Sequence, residues 1–207
     1  MPSPPNQDTM QDNEPEAPAA TVTSHPYGDT RLLLCNSSGA EIVFVVDSKI
    51  MMLVCTVWSR MLAPDGHFIE SKAPESGMRE ISFPDDDPDT LTILLNIAHL
   101  RFNMVPNSVG LKTLVNLAVL TDKYGAEGLL SPWLGVWMEP YITKYAPPGW
   151  EELLYVCWAF GYAETFGDLS SKLVMELGLN DEGKPVTPDK IVLDADGGLH
   201  FPPSMIA

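Results

Sequence analysis

A chain of 207 residues, 45% of them hydrophobic, can bury the core of one domain with extensions, or at most of two small domains. Its formal charge of −16, with no two Lys or Arg adjacent, argues against direct nucleic-acid binding, which needs clustered positive charge. Cys35, Cys55 and Cys157 are odd in number, far apart and set in apolar runs, so they read as small buried hydrophobes in a reducing compartment rather than as disulfides.

The N-terminus has neither a basic start nor an apolar stretch, so no secretory signal is expected, and Asn36-Ser37-Ser38 reads as a turn rather than a glycosylation site. Residues 1–26 hold Pro2, Pro4, Pro5, Pro15, Pro18 and Pro26 with four acids and no Lys or Arg, a composition that predicts a disordered acidic tail. Residues 30–35 and 41–46, β-branched and aliphatic runs around Asn36-Ser37-Ser38-Gly39, predict a hairpin. From 48 to 62, Met51, Val54, Cys55, Trp58, Met61 and Leu62 recur at helical spacing, with Ser48 as the expected N-cap. A polar loop with Gly66, Pro74 and Gly77 precedes a third strand at 80–83 and the acid-rich turn Pro84-Asp85-Asp86-Asp87-Pro88. Asp87 is the expected cap of the next helix and Pro88 its first residue, with Leu91, Leu94, Leu95, Ala98 and Phe102 as the buried stripe and Pro106 as the stop.

A helix over 109–124 turns Leu111, Leu114, Val115 and Ala118 inward, and another, opened by Ser131-Pro132, is anchored by Trp133, Val136 and Trp137. After the Pro147-Pro148-Gly149 break, a helical pair shows Leu153, Val156, Cys157 and Phe160, then Leu169, Leu173, Val174 and Leu177 before Gly178. Two helices cannot hold a core alone, so they are expected to pack back on the first domain. The longest apolar stretches, 50–58 and 153–163, are shorter than the roughly 20 residues that span a bilayer. The expected division is a tail at 1–26, a domain at 27–138, a helical extension at 139–180 and a loosely ordered tail at 181–207, in a protein of the cytoplasm or nucleus that is not secreted.

The chain offers little reactive chemistry. Residues 178–185 approach a phosphate-binding loop, but Pro185 replaces the metal-holding hydroxyl and Asp181 and Glu182 put charge where phosphates lie, so a plain turn is expected. His25, His67, His99 and His200 are scattered, and Asp85, Asp86, Asp87 and Asp89 read as helix-capping charge rather than ligands. Asp194-Ala195-Asp196-Gly197-Gly198 reads as a turn. No catalytic residue, cofactor, metal, small-molecule substrate or membrane contact is expected. The five tryptophans read as core, with Trp150, Trp158 and Tyr162 forming an exposed patch only if the later helices leave the first domain uncovered.

Five stretches carry a family resemblance: Gly28-Asp29-Thr30 with residues 32–34; Phe44-Val45-Val46 leading to Ser48, Met51, Cys55, Trp58 and Met61-Leu62; Phe68-Ile69-Glu70-Ser71; Ile81-Ser82-Phe83-Pro84 with the three aspartates; and Ala118 followed by Thr121-Asp122-Lys123-Tyr124. Over a little more than half its length the chain resembles the BTB/POZ domain, most closely its fungal single-domain versions. The resemblance implies an α+β fold in which a small three-stranded sheet is flanked by a helical cluster, and a non-catalytic protein-interaction function, as an adaptor for a cullin-type ubiquitin ligase. A co-regulator in a transcription complex that acts through self-association is the alternative, and an enzyme of unrecognised type the remote one. On this analogy Asp85, Asp87, Phe102, Asn103 and Tyr124 make the cullin-like contact, and Leu32, Ile50, Val54 and Trp58 serve self-association or, in the plainer reading, the core. The sequence departs from the family where Asp47 stands for its helix-opening His, Cys55 for a Ser and Ser48 for a basic residue, which leaves Asp29 without a basic partner. A Pro-rich tail also replaces the helix exchanged between subunits in dimeric members. Use of the fold as in elongin C, on a different partner, is then as natural as a swapped homodimer.

Overall fold

The computed structural model describes residues 20–72, 77–142, 150–187, 190–193 and 200–203. Residues 1–19 of the predicted tail, Pro74, the Pro147-Pro148-Gly149 break and the Asp194 to Gly198 turn lie outside them. The architecture is α+β, a four-stranded sheet and seven helices among the described residues.

Strands β2 (Thr30–Cys35) and β3 (Glu41–Val46) form the predicted hairpin. Its turn is closed by Asn36, whose Oδ1 accepts from the Ser38 and Ala40 amides at 3.0 and 2.9 Å, while Gly39 takes φ +82°. Strand alternation sends Leu32, Leu34, Phe44 and Val46 into the core. The same alternation turns Cys35 out to solvent, against the expectation of a buried thiol. Strand β4 (Arg79–Ser82) lies parallel to β2, and Ile81 joins the same core face.

A fourth strand corrects the predicted sheet. β1 (Ala20–Thr23) falls in the stretch assigned to the disordered tail, yet it runs parallel to Ile42 through Val45 of β3. The β-branched Thr21-Val22-Thr23 suits an edge position, and Arg101 Nη1 holds the strand end by donating to the Thr23 carbonyl at 2.7 Å. Five of the tail's six prolines precede this run and Pro26 follows it, so none interrupts the strand.

The helix predicted over 48–62 is two: α1 (Ser48–Val54) and α2 (Thr56–Leu62), separated by Cys55 in extended backbone. Asp47, not Ser48, caps α1, accepting from the Lys49 and Ile50 amides. Cys55 caps α2, its Sγ accepting from the Trp58 amide at 3.3 Å and donating to the Tyr124 carbonyl at 2.8 Å. The break keeps Met51, Cys55, Trp58 and Leu62 all buried.

Helix α3 (Pro88–Ala98) begins as predicted, with Asp87 accepting from the Thr90 amide at 2.9 Å and Pro88 in the first turn, and buries Leu91, Leu94, Leu95 and Ala98. It stops well before Pro106. The Leu100 amide donates to the Ile97 carbonyl and the Arg101 amide to that of Asn96, a closure that needs a left-handed residue at Leu100. The chain turns there, so Phe102 leaves the predicted stripe and is exposed.

Helix α4 (Leu111–Tyr124) runs to Gly125, and α5 (Ser131–Ile142) buries Trp137 and half of Trp133 but leaves Val136, a predicted anchor, outside. Helix α6 (Leu153–Phe160) packs on α4, and α7 (Ala163–Glu176) on α6, so the helical pair shares one core with the sheet. Trp150 is covered, Tyr162 half-covered and Trp158 partly exposed. In α7 the buried line is Leu169 and Leu173, and Val174, one residue further round, faces out. Strands β5 (Gly178–Leu179) and β6 (Pro185–Val186) form a two-residue ladder.

Candidate functional site

The acid-rich turn between β4 and α3 spreads its three carboxylates in different directions. Asp87 serves the helix cap, and Asp85 points to solvent. Asp86 turns inward and is buried, taking a hydrogen bond from Lys123 Nζ at 2.6 Å and another from the Tyr124 hydroxyl. Tyr124 is itself buried, its ring 5.0 Å from that of Trp58 and 5.8 Å from that of Phe83. Burial first, then the hydrogen bond to Asp86 and its charge, push the Tyr124 phenol far above its ordinary pKa, so it acts as a permanent donor. The turn is thereby tied to the C-terminal end of α4, with a cavity of about 370 Å³ beside it, lined in part by Asp85, Asp87, Val119, Lys123 and His200.

The predicted cullin-like set therefore divides. Asp85 and Asp87 share the rim of this cavity. Phe102 and Asn103 are exposed at the other end of α3, whose 11 residues rise roughly 16 Å. Tyr124 is a core residue and cannot meet a partner. Asp86 was missed because a sequence does not show which of three consecutive aspartates faces in.

At the α3 end the ring of Phe102 lies 5.5 Å from that of Trp133, which lies 6.4 Å from that of Trp137. Trp137 Nε1 donates to the Pro106 carbonyl at 2.9 Å, fixing α5 against this loop. The surface around them is apolar: Leu100 is 73% exposed, Val136 61%, Met104 54% and Phe102 52%. Only Phe102 of these was nominated from sequence. Leu100 and Met104 are exposed because the left-handed turn at Leu100 ends α3 early, which no periodicity announces.

The self-association set divides too. Leu32 and Trp58 lie wholly in the core, so they offer no surface, and Ile50 and Val54 are half-buried. The outward residue of this region is Leu53, 86% exposed on α1, with Val57 beside it on α2. Asp29, expected to lack a basic partner, accepts instead from the Ser48 hydroxyl at 2.7 Å and the Ser48 amide at 2.8 Å. Burial opposes its charge, but these bonds and one from Thr30 outweigh it and hold the carboxyl below its usual range. Where sequence suggested a failed phosphate loop, Asn180 Oδ1 accepts from the Glu182 and Lys184 amides at 3.0 and 2.8 Å, which turns two of the loop's donors inward.

Beneath β1, His99 is buried and bonded at both nitrogens: Nδ1 donates to the Leu95 carbonyl at 2.9 Å and Nε2 accepts from the Asp47 amide at 3.1 Å. Burial depresses its pKa, with the charges of His25 and Arg101 acting the same way and the Leu95 bond and Asp47 opposing. Among the described residues no three His, Cys, Asp or Glu side chains converge as a metal site, and no helix is long and apolar enough to cross a membrane. The sequence matches no protein-family model and no curated protein.

Proposed function

We propose that this chain is a non-catalytic interaction module of BTB/POZ type that works as an adaptor for a cullin-type ubiquitin ligase. The observation that carries the interaction reading is the exposure of Phe102 against the half-buried Trp133, with Leu100 and Met104 exposed in the same short loop and Val136 exposed on α5. Large exposed apolar groups gathered on rigid elements mark partner sites rather than solvent-facing decoration. The BTB reading is supported by the order of elements, in which a hairpin runs directly into a broken helix pair and an acidic turn opens the next helix. It is supported as well by the roles its motif residues fill, Asp87 as cap and Trp58 and Tyr124 as core.

Titration of a purified cullin amino-terminal domain into the full chain tests the proposal. Binding is expected, weakened at least tenfold by Phe102→Asp and by Val136→Asp, since each sets an uncompensated charge in an apolar contact. Absence of binding by the folded wild type would remove the cullin reading. The alternative, a co-regulator acting through self-association, draws on Leu53, left bare on the first helix. Light scattering of wild type and Leu53→Asp decides it: a dimer of the wild type that Leu53→Asp dissociates favours that reading, and a monomer throughout excludes it. Leu53 is the diagnostic position because charge at Trp58, fully buried, would unfold the domain.

A further inference from the structure

We propose that β1 is held by an acid-released latch: a positive charge gained at His99 frees this strand from β3 while the rest of the sheet stays folded. The strand itself has little to hold it. Ala20, Thr21 and Thr23 are exposed, and only Val22 packs against the core. Its attachment concentrates at the C-terminal end. Arg101 donates to the Thr23 carbonyl at 2.7 Å, and the Ser24 and His25 amides both donate to the Val45 carbonyl, at 2.9 and 3.3 Å. A short edge strand with one inward side chain belongs to the low-stability end of a fold, where local opening is cheap.

His99 lies under that end, with its ring 6.2 Å from that of His25. The charged groups that act on it come from three places: His25 after β1, Asp47 before α1 and Arg101 beyond α3. Asp47 is the one acid among them, and it is already engaged. Its Oδ1 caps α1, and its Oδ2 lies 3.9 Å from His25 Nδ1. A proton on His99 Nε2 turns the acceptor for the Asp47 amide into a second donor facing it. The same proton sets positive charge beside His25 and Arg101, the residues that secure the strand end. Lifting residues 20–25 relieves that repulsion and admits water to the ring. Burial lowers the His99 pKa in the docked state and exposure returns it towards the ordinary value. Docking is therefore complete at neutral pH and weakens as pH falls. From an ordinary pKa of about 6.5, one histidine lowers the docking constant at most about 25-fold between pH 7 and pH 5. Release bares the backbone edge of β3 from Ile42 through Val45, where another extended strand can add. The latch stands or falls independently of the adaptor reading.

Amide hydrogen exchange of the full chain tests this, followed by NMR at pH 7 and pH 5 and expressed as protection factors, which removes the intrinsic pH dependence of exchange. The Ser24 amide reports the latch. The Phe83 amide, which donates to the Leu33 carbonyl at 2.8 Å at the opposite edge of the sheet, reports the fold. A loss of protection at Ser24 of about three- to 25-fold, with Phe83 unchanged, supports the proposal. Equal protection of Ser24 at the two pH values overturns it, and so does an equal loss at Phe83, which marks general loosening. His99→Gln keeps an acceptor for the Asp47 amide and does not titrate, so its Ser24 protection is expected to be the same at both pH values. A loss of wild-type size in that variant overturns the proposal. Should His99→Gln not fold, His25→Gln takes its place: it removes a charge that lowers the His99 pKa, so a smaller loss than that of wild type is expected, and an equal loss overturns the latch.

Discussion

Leu100 is held at φ +59°, where an L side chain costs about 1–2 kcal/mol, and it is too exposed to recover much of that by burial. Glycine would remove the strain at an entropic cost of about 0.5–1 kcal/mol in the unfolded chain, so Leu100→Gly is expected to stabilise by about 0.5–1 kcal/mol in urea unfolding. If the apolar patch binds a partner, the same substitution weakens that binding, a divergence between stability and affinity that marks a residue kept for its surface. Tyr124 gives the opposite case. Tyr124→Phe keeps the ring packing and deprives the buried Asp86 carboxylate of one donor, so a loss of about 1–3 kcal/mol is expected by the same measurement. Trp58 is fully buried with its ring against that of Tyr124, so its main contribution is packing.

Among the elements, the break between α1 and α2 depends on a thiol that acts at once as cap and as donor. Cys55→Ser preserves both roles and is expected to stay within about 0.5 kcal/mol of wild type, whereas Cys55→Ala loses the cap and costs about 1 kcal/mol or more. Burial raises the Cys55 pKa and pushes that of Cys157 up to about 12, and Cys35 lies open. Only one thiol per native chain is therefore expected to react with an aromatic disulfide reagent, and three after unfolding. Elements announced by local chemistry were legible in the sequence: the Asn36 turn, the β2–β3 alternation, the Asp87-Pro88 helix start and the inward stripe of α4. What was hidden depends on tertiary choice. Strand β1 exists because β3 offers a free edge and Arg101 holds the strand's end. The helix predicted through Cys55 breaks because Tyr124, distant in sequence, accepts the thiol. Of the exposed apolar residues beyond α3 only Phe102 was singled out from the sequence, since the exposure of Leu100 and Met104 follows from a left-handed turn that a Leu seldom adopts.

The charge of the whole molecule bears on its stability at every pH, and the buried histidine adds a local dependence that can be separated from it. Lowering the pH from 8 to 5 protonates some carboxylates of a chain with a formal charge of −16 and relieves self-repulsion, which favours the folded state. His99 acts the other way. Its folded pKa lies below the ordinary histidine value of about 6.5, so between the two values the unfolded chain binds more protons than the folded one. The stabilisation is complete above about 6.5 and is lost as pH falls towards the folded value. Protonation would also cost Nε2 its role as acceptor for the Asp47 amide, at the point where α1 begins and beside the His25 ring that follows β1. His99→Gln replaces the ring with an amide that does not titrate, while the global charge term is common to both chains and cancels in their difference. Urea unfolding of the pair at pH 8, 7, 6 and 5 is therefore expected to show wild type losing stability relative to His99→Gln, with the gap opening below pH 7. Parallel curves across that range would mean that the segment after β1 and the start of α1 accommodate the charged ring, and that the acid response of the molecule belongs to its carboxylates.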